Sequence, residues 1–204
     1  MYEDNVTPTP LAEVPDSGDT AQSHKSGLLR FIIDLFETLL LSAILFLGIN
    51  AVTARIRVDG MSMQPSLLNG EFVLVNRLAY KFGQPQLGDI IVFHLPSDPD
   101  LEYIKRVIGT PGDVVEIKGR KVYVNGERLD EPYIAEKTLY EVRWEVPRGA
   151  VFVLGDNRNN SSDSHNWGPV PLDNVVGKAI FVYWPVSRWE WLDHSTPPDA
   201  SSGV

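Results

Sequence analysis

Three short segments carry side chains whose type and spacing can do chemistry. The first is Val58–Leu67, VDGMSMQPSL, in which Ser62 follows a glycine and precedes Pro65. Such a loop exposes a hydroxyl, but serine becomes a useful nucleophile only beside a base, and taken alone the segment reads as a turn. The second is Tyr103–Asp113, YIKRVIGTPGD, which sets Lys105 in an apolar strand beside Ile104 and Val107. Strand alternation sends Lys105 and Val107 to one face and Ile104 and Arg106 to the other. If that lysine faces the interior, loss of hydration disfavours its ammonium form and lowers its pKa, the property a lysine base needs. Facing outward, it is an ordinary solvated strand lysine. The third is Gly155–Pro169, GDNRNNSSDSHNWGP, dense in short polar side chains directly after the apolar run AVFVL. That density suits either a hydrogen-bonded network holding other side chains or a polar surface loop.

Elements on either side must hold these segments. Thr38–Ala54, TLLLSAILFLGINAVTA, carries no charged side chain, and Leu28–Phe36 extends it upstream. Together they reach the roughly 20 residues that a bilayer core requires. Arg30, Asp34 and Glu37 interrupt the first half; they suit a headgroup boundary, and an amphipathic core helix is the other reading. The run lies too far from the N-terminus, behind an acidic stretch, for a cleavable signal peptide, so an uncleaved anchor is expected over residues 28–54. Residues 1–27, rich in Pro, Thr, Ser, Asp and Glu, are expected to form a flexible tail, and residues 196–204 a loose end. Lys25 and Arg30 on one side balance Arg55 and Arg57 on the other, so basic residues do not orient the anchor.

Beyond Arg55 the pattern changes to EFVLV, GDIIVFHL, YIKRVIG, DVVEIKG, KVYVNG, AVFVLGD and KAIFVYWPV, divided by Gly, Pro, Asn and Asp. Many short, closely spaced strands indicate an antiparallel sheet closed or folded on itself. The expected fold is mainly β: an antiparallel β-barrel-like catalytic domain of short strands over residues 55–195, behind a single-pass transmembrane helix. A small hairpin insert is expected near residues 117–147, with Asn125-Gly126 as a two-residue turn needing positive φ. A net charge of −9, from 27 acidic against 18 basic residues, supplies no footprint for a phosphate backbone and argues against nucleic acid as a partner. The absence of cysteine excludes disulfides, thiolate metal sites and a cysteine nucleophile, and leaves the compartment open.

Taken in order, the anchor, SMQPSL, LGDIIVF, YIKRVIGTPGD and GDNRNNSSDS resemble the bacterial type I signal peptidases, or leader peptidases, from the anchor to about Trp184. The resemblance implies that Ser62 attacks the scissile carbonyl and Lys105 takes its proton, then activates the deacylating water, with no metal or cofactor. It implies that Ser161 hydrogen-bonds the lysine, and that Asp163 and Arg158, with Asp156, brace the site. The Ser62 backbone N–H would be one oxyanion donor. Gly60 stands where some members carry a serine as the second donor; a lost donor costs a few kcal/mol in the transition state. His165 stands where many members have arginine, and the S-H-x-W-G form resembles plastid and cyanobacterial members. The implied substrates are exported preproteins cut after small residues in an A-x-A pattern, which fill two shallow apolar pockets. By motif alignment the pocket walls would include Ile56, Val58, Met63, Leu67, Val73, Val92, Tyr103 and Ile104, which select by excluding bulk. The resemblance also implies a lipid bilayer as partner, with the tail in the cytoplasm and the sheet domain on the outer face of a bacterial plasma membrane, or alternatively at a thylakoid membrane. Trp184, Trp189 and Trp191 suit either a membrane interface or a packed aromatic cluster.

Other arrangements stay open at this point. Ser62 with His165 or His94 and Asp156 would make a Ser-His-Asp hydrolase, although no G-x-S-x-G elbow is present. A membrane-tethered β domain that binds a partner without catalysis is a second. Self-cleaving Ser/Lys repressors share the dyad, but they are soluble and carry a DNA-binding domain that has no counterpart here.

Overall fold

A computed structural model describes residues 20–194, so the expectations for residues 1–19 and 196–204 fall outside the described residues. Helix α1 spans Thr20–Val52 and is followed by strand β1, Thr53–Arg57. Against an expected tail through residue 27 and an anchor through residue 54, the helix starts earlier and stops sooner. A nucleated helix propagates cheaply into any stretch free of proline, and β-branched Thr53 favours the strand. The chain divides after Gly48 into a helical unit and a β-rich unit beginning at Ile49. Over Gly27–Val52 the helix is long and apolar enough to cross a membrane. At 1.5 Å per residue its 26 residues rise about 39 Å, against a hydrocarbon core of about 30 Å. Its hydroxyls are satisfied along the helix, Thr38 Oγ1 donating to Asp34 O at 2.7 Å and Ser42 Oγ to Thr38 O at 2.8 Å. Lipid demands such internal pairing.

In the β-rich unit every apolar run noted above is a strand. In chain order the strands after β1 are β2 (Phe72–Asn76), β3 (Ile90–Leu95), β4 (Asp98–Gly109), β5 (Val114–Lys118), β6 (Lys121–Val124), β7 (Glu127–Arg128), β8 (Val142–Glu145), β9 (Ala150–Leu154), β10 (Val170–Pro171), β11 (Val175–Trp184) and β12 (Glu190–Trp191). One sheet runs β1-β2-β11-β3-β4-β9-β10 with β12 on β11, and a second runs β7-β6-β5-β8. Asn125 at φ 54° and Gly126 at φ 88° make the expected turn, pairing Val124 with Glu127.

The barrel-like expectation is corrected: the sheet does not close. Its path ends at β1 and at the two-residue β10, which do not pair with each other. Register shifts between Val107/Gly109 and between Ala179/Phe181 bend the strands. Bending alone does not close a sheet, because closure needs a consistent stagger of every strand around one axis.

Side-chain alternation explains where the core sits. Ile90 and Val92 of β3 enter one apolar cluster with Val58, Met63, Leu67 and Ile104. Ile91 and Phe93 of the same strand enter another with Val107, Val151 and Val153 on the opposite face. A strand covered on both faces reads as an unbroken apolar run, hence IIVF. A third cluster joins Ile108, Phe152 and Leu154 to Val115, Ile117 and Val122 of the second sheet. Strand β4 thus runs through the middle of the unit, and its residues from Ile104 to Gly109 are all buried.

Candidate active site

Ser62 sits on a loop whose ends are tied together. Val58 N donates to Glu71 O at 2.7 Å, and Gly70 N returns to Val58 O at 2.8 Å. Met63 and Leu67 anchor the loop in the core, 1% and 0% exposed. Gly60 adopts φ +97°, a left-handed conformation that L side chains rarely adopt, and its N–H donates to Asn69 Oδ1 at 2.8 Å. The Ser62 carbonyl is held from across the site by Asn157 N at 3.0 Å, while Asn157 Nδ2 donates to Met61 O at 3.1 Å.

Lys105 comes from the buried middle of β4, opposite Ile91 of β3. Its Nζ lies 2.9 Å from Ser62 Oγ and donates to Ile104 O at 2.9 Å. The residue is 4% exposed. Burial pulls its pKa down from 10.5 to about 8, against the opposing pull of the Asp163 and Asp156 carboxylates. The Tyr103 ring, 5.1 Å from Nζ, covers one side.

The polar loop after β9 closes the site from below. Gly155 lies so close that an added Cβ would collide with Ser161 Oγ and Ser62 O. Asp163 caps the short helix α2, Ser164–Trp167, through its Oδ1, and its Oδ2 accepts from Gly155 N at 3.0 Å. Asp156 takes a two-pronged contact from Arg106, Nε at 2.9 Å and Nη2 at 2.8 Å, and also accepts from Ser66 Oγ. Arg158 is 1% exposed, donates Nε to Gly155 O at 3.1 Å and pairs with Glu131 at 2.6 Å. A cleft of about 500 Å³ opens above the dyad, lined by Ile56, Tyr103 and Ile104 on its apolar side and by Ser62, Lys105 and Asn160 among its polar groups. A hydroxyl against a dry amine, at the floor of a cleft, can perform acyl transfer.

The model of the family "Signal peptidase, peptidase S26" matches residues 32–184. The chain belongs to this S26 family. It is 39% identical over 199 residues to signal peptidase I of Leptolyngbya laminosa, covering 92% of this chain and 95% of that one. It is 42% identical over 176 residues to a probable signal peptidase I-1 of Synechocystis, covering 82% and 90%. It is also 41% identical over 142 residues to thylakoidal processing peptidase 1 of Arabidopsis thaliana, covering 64% of this chain and 42% of that protein.

Within this S26 member, the structure brings Ser62, Lys105, Gly60, Ser161, Asp163, Asp156 and Arg158 around one site, with two differences from expectation. The expected hydrogen bond between Lys105 and Ser161 is not formed: Ser161 Oγ is buried without a partner, and the lysine donates to Ile104 O instead. Of the eight expected pocket residues, only Ile56, Tyr103 and Ile104 line the cleft. Val58, Met63, Leu67, Val73 and Val92 are packed in the core behind it, because their strands and loop are covered on that side. The Ser-His-Asp alternative is not assembled. Asp156 is occupied by Arg106, His165 Nδ1 pairs with Asp163 at 2.7 Å, and His94 Nδ1 is buried without a partner. Sequence reasoning missed Glu131, Tyr133 and Tyr140, which lie far along the chain yet pack on the polar loop. Tyr133 covers the Arg106 guanidinium at 3.9 Å. Arg106 is visible in the sequence beside Lys105, on the opposite face of the same strand.

Proposed function

We propose that this chain removes N-terminal signal peptides from exported preproteins, with Ser62 as nucleophile and Lys105 as general base. The observation that carries the reading is a nearly buried amine 2.9 Å from a hydroxyl. The neutral amine accepts the Ser62 proton as Oγ attacks the scissile carbonyl, and the resulting ammonium protonates the departing amine. Acyl ester then remains on Ser62. The amine next takes a proton from water, which attacks the ester and releases the carboxylate and the hydroxyl. The apolar cleft wall of Ile56, Tyr103 and Ile104 supports selection of small residues at the cut, the A-x-A pattern. Membership of the S26 family and relatives named signal peptidase I support the substrate class.

The apolar helix supports a membrane location, and the resemblance to the bacterial type I signal peptidases supports the finer reading, with the N-terminus in the cytoplasm and the β-rich unit outside on a bacterial plasma membrane. The thylakoidal relative supports a second setting, the thylakoid membrane. The test is incubation of the detergent-solubilised protein with a preprotein ending its signal in A-x-A, with the cut mapped by mass spectrometry and Ser62→Ala as control. A single cut after the small residue, absent with the variant, is expected. An inert folded protein overturns the proposal.

A further inference from the structure

After β12 the chain forms a short strap, Leu192–His194, that is tied to three adjacent strands of the larger sheet. Leu192 N donates to Ile180 O of β11 at 3.0 Å, Asp193 O accepts from Arg106 Nη1 of β4 at 2.9 Å, and His194 Nδ1 accepts from Ile90 N of β3 at 3.1 Å. The same strap reaches the loop that carries Ser62. Leu192, 9% exposed, belongs to one apolar cluster with Val58, Met63 and Leu67, the residues that anchor that loop. Beside it a cavity of about 170 Å³ is bounded by Leu192 and Asp193 of the strap, by Ile90, and by Ser66 of the loop.

The bond at His194 requires one protonation state. A backbone N–H only donates, so the ring nitrogen facing Ile90 carries no proton, and an imidazolium would have no acceptor to offer. Lys178 of β11, Arg106 of β4, Asp89 at the start of β3 and Asp193 of the strap face the ring, and Tyr80 is bonded to Asp89. Asp89 is already engaged: Lys178 holds its Oδ1, which lies 4.0 Å from His194 Nδ1, and its Oδ2 accepts from the Tyr80 hydroxyl and Gln86 N. We propose that His194 is a positioning residue: its neutral imidazole latches the strap onto β3, and the latched strap holds the Ser62 loop against Lys105 through the apolar cluster they share. This rests on Ser62 being the nucleophile.

A pH dependence follows. Burial, with Lys178 and Arg106, pushes the ring's pKa down from 6.5 to about 4. Between those values the latched ring is neutral while a released one binds a proton, so latching weakens by up to about tenfold per pH unit as pH falls through that window. Above about pH 6.5 both forms are neutral and the latch is insensitive to pH.

The experiment follows two amides by hydrogen exchange in the ¹⁵N-labelled full chain in detergent, from pH 4.5 to pH 7.5, corrected for the intrinsic pH dependence of exchange. Ile90 N–H reports the latch, and Leu67 N–H, bonded to Met63 O at 2.9 Å, reports the Ser62 loop. Protection of Ile90 is expected to be level above about pH 6.5 and to fall by up to about tenfold per pH unit below it, with Leu67 losing roughly three- to tenfold by pH 4.5. His194→Asn, whose side-chain oxygen accepts without titrating, is expected to keep both amides protected at every pH. His194→Leu is expected to lose about tenfold of the Ile90 protection throughout. In preprotein cleavage at pH 8.5 it is expected to lower kcat about tenfold with KM within about twofold, and His194→Asn to restore kcat. Level protection of either amide in the parent, a pH-dependent His194→Asn, or a folded His194→Leu with the parent's kcat overturns the proposal. The parent and asparagine titrations decide alone if the leucine variant does not fold. They involve no turnover, so failure of the Ser62 assignment shows separately, as cleavage retained by Ser62→Ala.

Discussion

Lys105 Nζ lies 2.9 Å from Ser62 Oγ, and among the described residues that hydroxyl has no other side-chain partner. With burial holding the lysine at about 8, the neutral fraction rises with pH and levels off above that value. Activity is therefore expected to climb about tenfold per pH unit on the acid side and reach a plateau near pH 9. Lys105→Arg, permanently charged, and Ser62→Ala are each expected to lose about 10³-fold or more in kcat. A kcat/KM profile flat from pH 6 to pH 9 would count against the assignment.

Gly155 is the point where the polar loop touches the Ser62 segment. A Cβ there meets Ser161 Oγ and the backbone oxygen of Ser62, and backbone cannot swing away. Gly155→Ala is expected to destabilise by about 1–3 kcal/mol and to displace Ser62 relative to Lys105. Misplacement by about 1 Å can cost on the order of 10²-fold in rate. Thermal melts and turnover of the purified variant check both, and full activity would show that the loop relaxes.

Arg106 and Asp156 form an ion pair whose side chains are 2% and 0% exposed. Asp156→Ala strands a buried guanidinium and is expected to cost about 3–5 kcal/mol, whereas Arg106→Met with Asp156→Leu is expected to be closer to neutral. Urea unfolding of both proteins measures the difference. A single variant as stable as the parent would mean that the pair holds no buried charge.

The strands, the Asn125-Gly126 turn and the apolar helix were legible because alternation, turn chemistry and length are local signals. The Ser62–Lys105 pairing was not derivable from residue types alone, since the two lie 43 positions apart, and the order of motifs supplied it. Pocket walls were the least legible. Ile104 and Val92 are equally apolar and pair across strands, but only Ile104 also borders the cleft. Whether the sheet closes or only folds on itself was not legible, because strand spacing does not encode stagger. Tyr140 gave no signal, since its stack on His165 depends on the segment between β7 and β8 reaching the polar loop.

Burial of Lys105 also links stability to pH. Its folded value, about 8, lies below 10.5 for the ordinary side chain, so between those values the unfolded chain binds more protons. Stability contributed by this residue therefore rises with pH across that window and is at its lowest below about pH 8, where the folded state holds a dry ammonium. The gap of about 2.5 pH units is equivalent to at most roughly 3–4 kcal/mol at about 1.4 kcal/mol per pH unit. Lys105→Met keeps the length and removes the charge, at the expense of the contacts to Ser62 Oγ and Ile104 O. It is expected to be about 1–2 kcal/mol more stable than the parent at pH 6–7 and to lose that advantage by pH 10.5. Denaturant midpoints at pH 6, 8 and 10.5 measure this; a variant less stable than the parent at pH 6 would show that the amine sits in a better solvated site than its burial indicates.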